Sequence, residues 1–116
     1  MVEVTIHSHE VTLELTGWDI ILALKKRLVF PLSSVMQIYA EPHVTRPTGF
    51  RMPGTSIPGV IQAGTYVWRG EREFWLTRST GNTVVFELAN LPYTRAVVDV
   101  REPELVVQRV RAAWAA

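Results

Sequence analysis

The sequence predicts a mainly β domain of seven or eight short strands with one helix at its C-terminal end, and three observations carry that prediction. Apolar and polar residues alternate in segments of about five to seven residues, the period of a half-buried strand. Gly, Pro, Asn and Ser clusters separate these segments at short intervals, as turns require. The last fourteen or so residues then change period, with apolar positions three and four apart, which is the stripe of an amphipathic helix.

Val2, Val4 and Ile6 share one face of an extended segment. Val11, Leu13 and Leu15 repeat the pattern after His7-Ser8-His9-Glu10, so the first fifteen residues read as a hairpin. Trp18, Ile21, Leu22 and, less regularly, Ala23 stand at helical spacing, so 18–24 reads as a short helix or a tight crossover. Leu28-Val29-Phe30 is a short strand ended by Pro31, which cannot donate to a ladder. A further strand runs from Val35 to Ala40, and the prolines and Gly49 between Glu41 and Pro53 make that segment a loop.

The segment from Pro53 to Tyr66 is the least ordinary in the chain, with Gly54, Gly59 and Gly64 at five-residue intervals. It reads as a bent, proline-fixed crossing between the two halves of the domain. Its glycines would let backbone amides converge on an anion, but the spacing matches no phosphate-cradling motif, because Val60 stands where the lysine is needed. Pro58 replaces the glycine that would make Ser56 a nucleophile elbow, so the turn reading is preferred.

Strands follow at 65–69 and 72–78 around Gly70-Glu71, at 83–88, and at 95–100, with turns at 79–82 and 90–92. Taken in order they predict an antiparallel meander. Pro103 suits the first helical position, and Val106, Val107, Val110, Ala113 and Trp114 line one face of a helix over about 103–115, with Gln108, Arg109 and Arg111 away from it. At 1.5 Å per residue the helix is roughly 20 Å long, enough to cap an open end of a small barrel or sandwich.

Composition bounds what such a domain does. At 116 residues the chain fits one domain, 1–116, with 47% hydrophobic and 20% charged residues, which is a globular and not a disordered composition. It has no cysteine, which excludes disulfides and thiolate metal sites and is compatible with a reducing compartment. Glu3, Glu10 and Glu14 interrupt any secretory apolar region, and no apolar run approaches the roughly 18 residues that cross a bilayer. The expected location is cytoplasmic. A net charge of +1 gives no global pull toward nucleic acid, and none is expected as a partner.

Trp18-Asp19, the Pro53 to Gly59 stretch, Ala63-Gly64-Thr65-Tyr66 and Glu102-Pro103 together resemble the bacterial pleckstrin-homology-like domains, in particular small actinobacterial-type single-domain proteins. The resemblance spans nearly the whole chain. It implies two nearly orthogonal sheets of about seven strands forming a partly open antiparallel barrel, capped by the C-terminal helix. It also implies a binding or self-associating module, using loops at the open end for phosphoinositides or an edge for protein partners. The inositide pattern places Lys and Arg around the first hairpin, whereas its tip here is His7-Ser8-His9-Glu10.

Two candidate surfaces stand out. Trp68 and Trp75 fall on adjacent strands of one predicted hairpin, beside Arg69, Arg72 and Arg78. They either pack within the sheet or present the aromatic and arginine mixture favoured at interface centres. Lys25, Lys26 and Arg27 form the one basic run and, if Arg46 and Arg51 join them, an anion patch for a small ligand or an acidic membrane surface. His7 and His9, two apart, suggest a metal pair with His43 as third ligand, but polar histidines at an exposed hairpin end are the commoner case, and no metal or cofactor is expected. Asp19, Glu41 and Asp99 are scattered and the histidines lack a matched Ser or Cys nucleophile, so no catalytic set assembles and a hydrolase is only a remote alternative. The expected function is a non-catalytic module for a protein partner or a homo-oligomer, with peripheral membrane contact as the weaker reading.

Overall fold

Two sheets and a C-terminal helix make up the fold. The structure, a computed structural model, describes residues 1–23, 25–42, 50–51, 55–57, 61–78 and 81–115. The smaller sheet is β1 (Glu3–His7), β2 (Glu10–Glu14) and β3 (Arg27–Pro31), antiparallel in that order. A six-residue helix, α1 (Trp18–Ala23), links β2 to β3, and a 3₁₀ turn at Leu32–Ser34 leads into β4 (Val35–Ala40).

The larger sheet is built on five strands. They are β4, β7 (Ile61–Trp68), β8 (Glu71–Thr77), β9 (Thr83–Leu88) and β10 (Tyr93–Asp99), in the order β4-β9-β10-β8-β7. Two short strands, β5 (Phe50–Arg51) and β6 (Thr55–Ile57), pair antiparallel with β7 on its outer side. Among the described residues the sheets do not close into a barrel, since the smaller sheet keeps β1 and β3 as edges.

The strands from β7 to β10 do not form the predicted antiparallel meander. β8 does not pair with β9; β10 lies between them, antiparallel to β9 and parallel to β8. The cause is apolar content on both faces. Ala96, Val97 and Val98 are all fully buried, so β10 needs a neighbour on each side and cover above and below, as central strands do.

Alternation then sorts the core into two clusters. Phe74, Leu76, Val84, Phe86, Ala96 and Val98 face the smaller sheet and meet Val11, Leu13 and Phe30. Phe30 and Phe86 join the sheets edge to face, with ring centroids 5.6 Å apart. On the opposite face Trp75, Val85, Val97 and Tyr66 form a second cluster, with Tyr39 against it.

The terminal helix, α2 (Pro103–Ala115), begins at Pro103 as the sequence predicts and buries Val107 and Val110, with Val106 and Ala113 partly buried. It packs against β4, β9, β1 and the 3₁₀ turn. Trp114 sits at the margin of that stripe, and its indole N–H donates to the Leu32 carbonyl at 3.3 Å. In α1, by contrast, Trp18 is 73% exposed while Asp19 and Ala23 are buried, so the aromatic does not lead the inward face.

In the glycine-spaced stretch, Thr55–Ile57 and Ile61–Ala63 pair antiparallel, which is local strand pairing where the sequence suggested a bent crossing. Pro53, Gly54, Pro58 and Gly59 lie outside the described residues. Gly64 has φ 115° and stands directly opposite Trp75. Trp75 is the largest fully buried residue, and a φ of that sign is one that glycine adopts without strain.

Candidate functional site

The turn between β1 and β2 decides which way the backbone of β1 faces. Ser8 and His9 both have positive φ, 51° and 64°, the conformation of a two-residue type I′ hairpin. In such a hairpin His7 and Glu10, the pair flanking the turn, exchange hydrogen bonds, and alternation sends the N–H and C=O groups of Glu3, Thr5 and His7 toward β2. Those of Val2, Val4 and Ile6 point the other way. Val2 conforms to this: its amide donates to the Asp99 carbonyl at 2.9 Å. Beyond Val2 no strand meets β1 on that side among the described residues, and Val4 and Ile6 present an open ladder.

The side chains of β1 divide as cleanly. Glu3, Thr5 and His7 are exposed, and Val4 and Ile6 are partly buried against the main core. Facing them across a gap is α2. A cavity of about 410 Å³ is lined by Val4, Thr5, Ile6, Val106, Arg109 and Ala113. It adjoins one of about 460 Å³ toward Glu3, Arg101 and Leu105, and one of about 470 Å³ toward His9, Pro31 and Trp114. The first two share Val4, Thr5, Val106 and Arg109 and form a groove beside β1, apolar at its centre and charged at its rim.

Among the described residues, β3, β4 and β7 each carry a feature that limits pairing at their open side, and β1 carries less. β3 has Arg27 at one end and Pro31 at the other, residues that discourage pairing. β4 carries a register irregularity between Val35 and Gln37, and the Arg111 guanidinium donates to its Ile38 carbonyl at 2.9 Å. β7 is covered by β5 and β6. β1 has no Lys, Arg, Pro or Gly and an unbroken register with β2.

The aromatic surface read from the sequence comes apart. Trp75 is 0% exposed; its indole N–H donates to Glu73 Oε1 at 2.9 Å, and the Arg95 guanidinium lies 5.8 Å from its ring centroid. Trp68 is 44% exposed at the β7–β8 turn, with the Arg69 guanidinium 5.4 Å from its ring, and Arg72 is exposed nearby. The register pairs Trp68 with Glu71 and Trp75 with Gly64, so the two indoles are four rungs apart and do not form a cross-strand pair. A concavity of about 200 Å³ beside Trp68 is lined by Tyr66, Glu71 and Glu73.

Of the basic residues, Lys25 lies 5.6 Å from the Tyr93 ring centroid, Arg27 pairs with Glu14 at 3.2 Å, and Lys26 is exposed. Arg46 is outside the described residues, and for Arg51 only the backbone, in β5, is described. His7 ends β1 and His9 is in the turn, so they do not share a strand face; His43 is outside the described residues. No group of three metal-ligating side chains occurs among the described residues.

Two buried polar contacts concern the frame and not the groove. Asp19 meets the Arg78 guanidinium and the Met1 ammonium, the latter at 2.8 Å. Burial alone pushes its carboxyl up, but Arg78 and the ammonium overcome this and hold it below the usual carboxylate range. Burial, and then the Glu87 carboxylate that accepts its hydroxyl at 2.9 Å, push the Tyr39 phenol above its ordinary value.

Sequence reading missed the groove because it needs two elements about a hundred residues apart to be brought side by side. One signal was present: a five-residue strand pattern at the start of the chain without Lys, Arg, Pro or Gly, the residues that blunt an edge most strongly. Comparison with protein-family models, with curated proteins and with solved structures finds no match, so what the chain does is read from the groove itself.

Proposed function

We propose that this chain is a non-catalytic binding and assembly module that receives an extended polypeptide strand in the groove between β1 and α2. The observation that carries the reading is the outward ladder of Val4 and Ile6 beside the helix. An added strand would hydrogen-bond to those backbone groups, and its inward side chains would enter the space bordered by Val106 and Ala113. Strand addition of this kind draws affinity from main-chain hydrogen bonds and specificity from alternate side chains.

Two sheets with a C-terminal helix packed on them are in keeping with the pleckstrin-homology-like resemblance, and a partly open barrel is the finer form of that proposal. The anionic-surface alternative has less behind it, because Arg27 is paired with Glu14 and Lys25 lies against Tyr93.

The reading is tested by selecting short random peptides displayed on phage against the chain. Selected peptides are expected to alternate apolar and polar residues and to slow hydrogen exchange at the Val4 and Ile6 amides. Peptides that bind yet leave both amides unprotected would place recognition elsewhere.

A further inference from the structure

We infer that the strand received by β1 is β1 of a second copy of this chain, paired antiparallel about a two-fold axis through Thr5. This rests on the strand-binding reading above and names its occupant. In a symmetric antiparallel pair centred on Thr5, Glu3 stands opposite His7 of the second copy and Val4 stands opposite Ile6. An acid thus meets an imidazole on the exposed face, and aliphatic meets aliphatic on the face toward α2, both favourable cross-strand combinations.

Backbone direction agrees with the same centre. Val4 and Ile6 point outward, so each Val4–Ile6 pair exchanges two hydrogen bonds, four in all across the axis. Thr5 meets Thr5 as a pair that exchanges none. Centring on Val4 would need the Val2 amide, which already donates to Asp99. Centring on Ile6 would run Val4 into Ser8, inside the turn. Centring on Glu3 would set like charges opposite each other on the axis. The Thr5 centre uses all five residues of the strand, and it turns the two three-stranded sheets into one of six strands in the order β3-β2-β1-β1-β2-β3.

The chain has no cysteine, so a single introduced thiol reports the register without interference. In a pair that exchanges no hydrogen bonds the Cα atoms lie about 4.5 Å apart, within disulfide reach. Thr5→Cys is expected to form a covalent dimer under mild oxidation. Glu3→Cys is expected not to, since the two thiols would be displaced by about 13 Å along the strands, whereas Glu3→Cys combined with His7→Cys is expected to cross-link. Met36→Cys, on an exposed β4 position, gives the background. Unmodified protein is expected to have twice the 13.1 kDa monomer mass by light scattering, and Thr5→Lys, which sets two ammonium groups on the axis at an exposed position, is expected to return it to the monomer.

Cross-linking of Thr5→Cys at the Met36→Cys background, or a wild-type mass that stays monomeric at the highest concentration reached, overturns the self-pairing. In that event the exchange experiment separates the two ideas. A monomer whose Val4 and Ile6 amides are protected by selected peptides keeps the strand-binding reading and loses only the second copy as occupant. A monomer without such protection loses both.

Discussion

Asp99 and Thr83 stand opposite each other on β10 and β9, and the Asp99 Oδ1 accepts the Thr83 hydroxyl at 2.8 Å. The other carboxylate oxygen accepts the Arg78 amide, also at 2.8 Å, just past the end of β8. One buried side chain therefore joins the ends of the two strands that flank its own. Asp99→Ala leaves the Arg78 amide without its acceptor and the Thr83 hydroxyl with only the Thr77 hydroxyl at 3.4 Å, and the expected loss is about 2–3 kcal/mol at the scale of buried hydrogen bonds. A fall in the urea midpoint with unchanged slope is the measurement, and a midpoint like wild type would mean that the joint is dispensable.

Asp19 ties α1 to Arg78 and to the Met1 ammonium. Because its carboxyl is held below the usual range in the fold, it adds stability that is present at neutral pH and is lost as pH falls from the unfolded value, about 3.9, through the lower folded one. Asp19→Asn is expected to cost about 1–3 kcal/mol at neutral pH. It should also flatten the acid side of the stability profile, as followed by denaturation midpoints at successively lower pH. An acid limb as steep as that of wild type would assign the loss to other carboxylates.

The Tyr39 phenol, raised by burial and by Glu87, works at the alkaline end. Its contribution is complete below the unfolded value of about 10 and declines as pH rises through the higher folded one. Tyr39→Phe is expected to cost roughly 1 kcal/mol at neutral pH, and to remove the part of the alkaline decline that this phenol supplies. Ultraviolet titration of tyrosinate absorbance in wild type and variant isolates the group.

The four tryptophans separate by environment. Trp75 is wholly buried and Trp68 is not. Trp75→Ala is expected to destabilise by about 3–5 kcal/mol, and Trp68→Ala by no more than about 0.5 kcal/mol. Emission from Trp75 should be shielded from iodide and that of Trp68 quenched, which single-tryptophan variants resolve.

Much of the fold was legible because alternation reads directly as strand. The bounds of β4 and the start of α2 follow from Val35 to Ala40 and from Pro103 as the sequence suggested. Strand order was not legible in the same way, since turns between neighbours in sequence do not specify neighbours in space. Ala96-Val97-Val98 held the clue, because a run that is apolar on both faces belongs in the middle of a sheet. Trp18 misled through size: helical spacing marked it as inward, while Asp19 turns in because two cations await it. Trp75, for which the sequence left packing and a partner surface open, is fully buried. The groove stayed hidden because it belongs to neither β1 nor α2 alone.

The position of β10 also sets an order of assembly. β9 and β10 form a local hairpin, but β8, though it precedes them directly, pairs beyond its β7 neighbour with β10, so the chain must fold back past β9 to complete it. The sheet therefore cannot zip up one strand at a time as the chain is laid down, and its parallel seam is a late, long-range event of the sort that slows folding. Without the β10 seam, β8 would have only β7 beside it and the Trp75 strand would itself be an edge.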